Sequence, residues 1–256
     1  MKKILITGAS SGIGRELSKD LCLQDYSVIG IARRKKLLNS LKKELSRKNN
    51  FSCIEADLSQ KNAWEKIILT LKRKKFIPDI VVFNAATWDK KLIAEYSYED
   101  LEKAHQVNFL SVMKGISLLL PYCKKRRTQF IAISTLSSFW GSPVEGIGYP
   151  ASKAALSIAF EGFYQKFKHT NFKFTTVSFG PIKVEANSFR LFSPFQLPLN
   201  STVEIIEKAI KEKKAAYFAP TLVFFCFNLL RLLPSTLRLP IFAFINSLHP
   251  YNLHKK

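Results

Sequence analysis

The stretch Thr7-Gly8-Ala9-Ser10-Ser11-Gly12-Ile13-Gly14 directly follows the apolar run Ile4-Leu5-Ile6. The run predicts a buried strand, and the glycines predict a sharp turn into a helix whose first N–H groups stay available to an anion. The spacing is Gly-x3-Gly-x-Gly and not the Gly-x-Gly-x-x-Gly of the standard dinucleotide fingerprint. We therefore weigh a phosphate cradle against a glycine turn used only for close packing. The predicted phosphate contacts are Gly8, Ser10, Ser11, Gly12, Ile13 and Gly14.

Outward from this turn, short runs rich in Ile, Val and Phe alternate with longer stretches of helical periodicity. This alternation is typical of a parallel sheet covered by helices on both faces. We predict a single doubly wound α/β domain with about seven strands, because no repeat or low-complexity linker divides the chain. The strands that can be placed are 2–7, 26–32, 51–56, 79–83, 128–134 and 172–179. The predicted helices are 12–24, 35–48, 60–75, 99–126, 149–169 and 201–213.

Two later regions depart from the alternating pattern. Residues 180–200 combine prolines with phenylalanines and leucines, which indicates an irregular apolar loop. We assign residues 1–220 to the α/β domain and residues 221–256 to an apolar and basic extension without independent domain status. Prolines interrupt this extension, so its sequence favours a helix that packs on the domain or lies on a membrane surface over a spanning helix.

The chain has an unusual excess of positive charge. Its 40 Lys and Arg residues face 19 Asp and Glu residues, which gives a net charge of +21 and favours anionic partners. The absence of a helix-turn-helix, a zinc-ligand pattern or a basic stripe interleaved with aromatics argues against nucleic acid. Most of the basic clusters fall at the ends of predicted helices, where they stay solvated, and an anionic membrane surface is one candidate partner. The short N-terminal apolar run lacks the features of a signal peptide, so we expect a cytoplasmic protein, peripheral at most on a membrane.

A second motif occurs in Tyr149-Pro150-Ala151-Ser152-Lys153. The i, i+4 spacing places Tyr149 and Lys153 on one face of a predicted helix. A free tyrosine has a pKa near 10, and an ammonium group nearby favours the phenolate and lowers that value. Such a pair suits a tyrosine that donates or removes a proton at neutral pH.

Together, these motifs resemble the short-chain dehydrogenase/reductase family, and the likeness covers most of the chain. The resemblance implies a Rossmann-like fold and hydride transfer between a nicotinamide cofactor and a carbonyl or alcohol. It also implies an adenine contact at Asp57, a structural and cofactor role for Asn84, and a water held in a proton relay by Asn108. Ala86 replaces the glycine, and Phe83 the first asparagine, that the family has around Asn84.

A third catalytic hydroxyl is expected near the end of the fifth strand. At the family spacing from Tyr149, Leu136 stands in place of the serine. Alignment of Ile133-Ser134-Thr135 on the strand end makes Thr135 the counterpart, with Ser134 and Ser137 as alternatives. Threonine donates the same hydrogen bond to a substrate oxygen.

Cofactor choice is predicted from the end of the second strand, Gly30-Ile31-Ala32-Arg33-Arg34. No acid stands there to accept ribose hydroxyls, whereas an arginine holds a 2′-phosphate, so we predict NADP(H) and select Arg33 as its contact. Ser10 resembles a second phosphate contact and Arg15 adds charge nearby. Val184 stands where the family has a threonine beside the nicotinamide, so anchoring there is assigned to the backbone of Ile182.

The sequence thus favours an NADP-dependent oxidoreductase with the catalytic set Tyr149, Lys153, Asn108 and Thr135 or Ser134. The Phe-rich segment 189–199 lies where the family has its substrate lid, so we expect an apolar substrate such as a long-chain aldehyde or ketone, a 3-oxoacyl group or a sterol-like ring. The resemblance also implies a homo-oligomer. A cofactor-sensing or nucleic-acid-binding protein with weak or no catalysis is the alternative function.

Overall fold

The structure is a computed structural model that describes residues 1–48, 50–88, 97–139, 146–183 and 196–247. Seven parallel strands form one sheet in the order β3-β2-β1-β4-β5-β6-β9, which confirms the predicted fold class. A short parallel pair, β7 with β8, lies apart from it. The strands are β1 Lys3–Thr7, β2 Ser27–Ala32, β3 Phe51–Glu55, β4 Ile80–Phe83, β5 Thr128–Thr135, β6 Phe172–Phe179, β7 Ile182–Lys183, β8 Leu197–Pro198 and β9 Ala216–Ala219.

Helices cover both faces of the sheet. They are α1 Gly12–Leu23, α2 Lys35–Glu44, α3 Ala63–Arg73, α4 Tyr98–His105, α5 Ser111–Tyr122, α6 Gly148–Lys166, α7 Leu199–Glu212, α8 Thr221–Arg231 and α9 Ser235–Ser247. Short 3-10 turns at Ser46–Lys48 and Leu136–Phe139 follow α2 and β5, and a π-helical turn at Gln106–Leu110 joins α4 to α5. None of the described helices has the length and apolarity that a membrane crossing requires.

Strand side chains alternate between two apolar layers, as expected for a sheet buried on both faces. In β1, Ile4 and Ile6 pack with the helices α1, α2 and α7, whereas Leu5 packs with α3, α5 and α6. The order of the strands reverses between β1 and β4. In sheets of this kind the crevice at that reversal, beyond the carboxyl ends of the strands, is the usual ligand site.

Several predicted boundaries were wrong. The predicted helix 99–126 is two α-helices separated by the π-helical turn, and it ends at Tyr122. The predicted irregular loop 180–200 contains the short strands β7 and β8 and the first residues of α7, while its central residues 184–195 lie outside the described part. The extension 221–256 contains two helices, of which α8 packs against β9.

Candidate active site

The glycine turn begins where β1 ends, at the strand-order reversal. Backbone N–H groups of Gly8 and Ala9 donate to the Ile31 carbonyl oxygen at 2.8 and 3.2 Å, which fixes the turn to β2. Gly8 has φ +72°. A side chain on Gly14 would stand 2.4 Å from the Gly8 carbonyl oxygen, so close packing accounts for both of these glycines.

Gly12 differs from the other two glycines of the turn. It has φ +53°, and a Cβ built on it meets nothing within 4 Å. The open space lies at the first residue of α1, whose N-cap Ser11 makes no side-chain capping bond and whose first turn has no acid. Free N–H groups at a positive helix end, next to open space, suit an approaching phosphate.

Thr7 and Asn84 tie the turn to β4. The Thr7 hydroxyl oxygen accepts from the backbone N–H groups of Asn84 and Ala85, both at 3.0 Å. The Asn84 amide nitrogen donates to the carbonyl oxygens of Thr7 and Gly8 at 3.0 and 3.3 Å. Asn84 therefore holds the shape of the glycine turn from the neighbouring strand.

Arg34, and not the selected Arg33, contacts the glycine turn among the described residues. Its guanidinium donates to the Ser10 hydroxyl from Nη2 at 2.9 Å and from Nε at 3.2 Å, and Nη2 also donates to the Ser11 hydroxyl. Arg33 is exposed. Adjacent arginines after a strand point to different sides, and the sequence alone does not identify the side that faces the turn.

Arg15 was expected to add positive charge near the phosphate position. Arg15 donates to the Glu44 carboxylate at 2.6 Å, so it joins α1 to α2 instead of facing the phosphate position.

Asp57 follows β3, and its Oδ1 accepts from the Ser59 backbone N–H at 3.0 Å and from the Ser59 hydroxyl at 2.9 Å. These bonds orient the Asp57 carboxylate at the carboxyl end of the sheet.

Tyr149 and Lys153 lie in the first turns of α6. The Lys153 side chain is buried, and its Nζ donates to the Ile133 carbonyl oxygen at 2.7 Å. Burial lowers the pKa of Lys153 to about 8. Nζ lies 6.0 Å from the centroid of the half-buried Tyr149 ring, which places the ammonium group beside this ring as the spacing predicted.

The Asn108 side chain connects three segments at this end of the sheet. It is fully buried within the π-helical turn, a feature that is frequent at functional sites. Its Oδ1 accepts from the Thr87 N–H and its Nδ2 donates to the Thr87 carbonyl oxygen, both at 2.8 Å. Nδ2 also donates to the Ser152 hydroxyl at 3.0 Å, and Ser152 donates to the Tyr149 carbonyl oxygen at 2.7 Å. Asn108 thus reaches the Tyr149 backbone through Ser152, which the sequence analysis did not select.

The two hydroxyls at the end of β5 have different partners. Ser134 contacts α6, with its Oγ 2.8 Å from the Ser157 Oγ and 3.4 Å from the Lys153 carbonyl oxygen. Thr135 pairs instead with Ser137, at 3.0 Å between their hydroxyl oxygens. Consecutive strand residues point to opposite faces, which explains the separation. Ser134 therefore contacts α6, the helix that carries Tyr149 and Lys153, while Thr135 and Ser137 form a hydroxyl pair at the strand end.

Apolar residues lie beside the tyrosine ring and after the end of β6. Trp88 is half exposed and packs edge-on against the Tyr149 ring at a centroid distance of 6.2 Å. Ile182 is half-buried and follows Gly180, whose N–H donates to the Ala219 carbonyl oxygen at 2.7 Å. Val184 and most of the predicted lid, including Phe189, Phe192 and Phe195, lie outside the described residues.

Comparison with known proteins identifies the family of the chain. A family model described as short chain dehydrogenase matches residues 2–190. An NADPH-dependent pterin aldehyde reductase of Arabidopsis thaliana is 34% identical over 162 residues, which cover 63% of this chain and 65% of that protein. The chain therefore matches just under two thirds of that relative's length.

Two solved structures show the likeness of fold. A short-chain dehydrogenase from Sphingobium yanoikuyae in complex with NADPH has a TM-score of 0.75 at 19% identity, with 86% of this chain and 89% of that chain covered. A 4-hydroxyisoleucine dehydrogenase complexed with NADH has a TM-score of 0.75 at 21% identity, with 85% and 96% covered.

Proposed function

The chain belongs to the short-chain dehydrogenase family of oxidoreductases, and on this basis we propose that it transfers a hydride between NADP(H) and the carbonyl or alcohol carbon of an apolar substrate. The observation that carries this proposal is the buried Lys153 ammonium beside Tyr149. Burying a charged group is unfavourable, and a lysine held in this way is typical of a functional site.

The residues around the glycine turn fit a dinucleotide. The open space at Gly12 and the uncapped start of α1 would receive the pyrophosphate, and Asp57 would accept from the adenine amino group. Backbone at Ile182 would contact the carboxamide. When bound, the nicotinamide supplies or accepts the hydride.

The protein's own groups then manage the proton. In carbonyl reduction, the Tyr149 hydroxyl donates its proton to the substrate oxygen, and the Lys153 ammonium stabilises the phenolate that remains. In alcohol oxidation the same phenolate removes the hydroxyl proton. Thr135, with Ser137 as its hydrogen-bond partner, donates to the same substrate oxygen. Asn108 and Ser152 act as positioning residues that fix the start of α6.

Arg34 supports NADP(H) over NAD(H). A guanidinium held at the glycine turn offers charge-assisted bonds to a 2′-phosphate, which NAD(H) lacks. The Arabidopsis relative is named NADPH-dependent, and the Sphingobium structure contains NADPH, although the 4-hydroxyisoleucine dehydrogenase contains NADH. The preference therefore depends chiefly on Arg34 of this chain.

The described surroundings of Tyr149 support an apolar substrate. Trp88 covers one edge of the ring, and Ile147, exposed over 57% of its surface, precedes the same helix. Phe139 ends the 3-10 turn that contains Ser137 of the hydroxyl pair. Groups of this kind favour an aldehyde or ketone with a large hydrocarbon part.

A carbonyl panel tests the proposed function. Purified protein is mixed with NADPH and with aldehydes and ketones of increasing apolar size, and nucleotide oxidation is followed by absorbance. We expect turnover that increases with the size of the apolar group and that NADH supports poorly. Absence of turnover across the panel, together with tight and salt-sensitive binding of DNA or RNA, would favour the alternative of a binding protein on the same fold.

A further inference from the structure

The helices α8 and α9 expose a continuous set of large apolar side chains. No residue of α8 is buried. Its outward positions repeat at intervals of three and four residues, the pattern of one helix face, and Leu237, Ile241 and Phe244 repeat at the same intervals on α9. We name this surface the α8–α9 face; its exposed side chains are Leu222, Phe225, Leu229, Leu232, Leu237, Ile241 and Phe244.

Other side chains join α9 to α8 and α8 to the domain. Phe227 of α8 stacks on the buried Phe242 of α9 at 5.8 Å between ring centroids. Phe224 stacks on Phe218 of β9 at 3.7 Å, and both rings contact Phe139. α8 is therefore docked on the domain through the side opposite to its exposed apolar positions, and α9 is joined to α8 through Phe242.

The charged residues of this segment have one sign. Residues 213–256 contain no Asp or Glu, whereas Arg231 and Arg238 lie on the two helices. The Arg238 guanidinium donates to the Arg231 carbonyl oxygen at 3.2 Å, which keeps the two cations close together. Two copies of this chain joined through the face would bring like charges together at a total net charge of +21 per chain.

An apolar face on helices that carry cations and no acid matches the headgroup region of an anionic bilayer, where hydrocarbon and negative charge lie side by side. We propose that the α8–α9 face docks the protein on an anionic phospholipid membrane, with both helices parallel to the surface. Leucine and phenylalanine side chains enter the acyl boundary, and Arg231 and Arg238 contact lipid phosphates.

The position of the face connects docking to catalysis. Phe139 contacts α8 through Phe224 and follows the Thr135–Ser137 hydroxyl pair by two residues of the same 3-10 turn. The membrane-facing helices thus adjoin the substrate end of the site, and the bilayer is a reservoir of apolar carbonyl compounds. This part of the inference rests on the proposed function, whereas the docking itself does not.

Vesicle co-sedimentation with the full chain tests the docking. We use vesicles of phosphatidylcholine alone and vesicles of phosphatidylcholine and phosphatidylglycerol in equal parts. Because a protein of such charge can adhere to any anionic surface, the decisive variants are Leu229→Glu and Leu232→Glu, whose side chains are 68% and 81% exposed. The matched control is Leu69→Glu on α3, a 57% exposed leucine that undergoes the same change of charge.

We expect the wild type to pellet with the mixed vesicles, and each α8 variant to lower the vesicle partition coefficient on the order of tenfold. Neutralising Arg231 or Arg238 with glutamine should lower it about fivefold, with an effect that salt reduces. Leu69→Glu should lower it much less than the α8 variants. Circular dichroism and NADPH titration verify that each variant is folded.

Equal binding to both kinds of vesicle, or an equal loss with Leu69→Glu, would overturn the proposal. So would lipid-free self-association in sedimentation velocity that the α8 variants abolish, since a second copy would then cover the face. Turnover of a water-soluble carbonyl is measured in parallel without vesicles. Absence of this turnover would contradict the proposed function and leave the docking result unaffected. Turnover without vesicle binding would contradict the docking and leave the proposed function unaffected.

Discussion

Replacing Lys153 with methionine removes a buried charge and keeps the side-chain length. Burial lowers the pKa of Lys153 from 10.5 to about 8, and at about 1.4 kcal/mol per pKa unit the folded state loses about 3 kcal/mol of stability at neutral pH. Methionine avoids this cost but leaves the Ile133 carbonyl oxygen without its donor, which costs about 1–3 kcal/mol. The net change at neutral pH is therefore small and, if anything, stabilising.

The pH dependence of the unfolding free energy separates the cost of burying the Lys153 charge from the loss of its hydrogen bond. Between about pH 8 and pH 10.5 the unfolded chain keeps the Lys153 proton and the folded chain has lost it, so wild-type stability rises with pH in this window. The methionine variant lacks that rise. The difference in unfolding free energy between the two proteins should therefore move by about 3 kcal/mol in favour of the wild type across the window.

Urea unfolding followed by circular dichroism at several pH values measures this difference. Lys166→Met, on the exposed side of the same helix, controls for the removal of one positive charge. In the same preparations, Lys153→Met should lower kcat/KM by about a hundredfold or more, because the phenolate of Tyr149 loses its stabilising cation. A stability difference that stays constant from neutral to alkaline pH would refute the argument from burial.

Five further substitutions test the cofactor turn and the tyrosine. Arg34→Ala should weaken NADPH binding about tenfold to hundredfold in a fluorescence titration while leaving NADH binding nearly unchanged. Arg33→Ala should leave the binding of both nucleotides nearly unchanged. Equal effects of the two substitutions on NADPH binding would contradict the assignment to Arg34. Gly14→Ala would place a methyl group 2.4 Å from a backbone carbonyl oxygen and should impair folding. Gly12→Ala adds a methyl group in open space, so it should lower the unfolding free energy in urea by only about 1–2 kcal/mol and still weaken NADPH binding. Ser152→Ala should lower kcat more than it changes the KM for NADPH, because it removes the link to the Tyr149 backbone; an unchanged kcat would exclude that role.

The sequence predicted the fold class and the main chemical groups because both depend on local patterns. Alternating apolar strands and amphipathic helices predict a doubly wound sheet, and the i, i+4 spacing on one helix brings Lys153 beside the Tyr149 ring. The seventh strand of the sheet, β9, was not placed. It has four residues and lies directly after charged residues that end α7, so its apolar pattern is too short to stand out.

The remaining features depend on contacts between distant segments. The choice between Arg33 and Arg34 depends on which side chain turns toward Ser10, 24 residues earlier in the chain. The separation of Ser134 from Thr135 depends on the packing of α6 against β5. The signal for Ser152 was present, since it is a hydroxyl inside the Tyr-Lys motif, but its link to Asn108 joins residues 44 positions apart.

Tyr149→Phe tests the central claim most directly, because it removes one hydroxyl and keeps the ring that packs against Trp88. The measurement is single-turnover hydride transfer from NADPH to the best carbonyl of the panel, with NADPH binding titrated in the same sample. We expect unchanged NADPH binding and a transfer rate lower by about a hundredfold to ten-thousandfold. Transfer at the wild-type rate with intact binding would show that Tyr149 is not the proton donor.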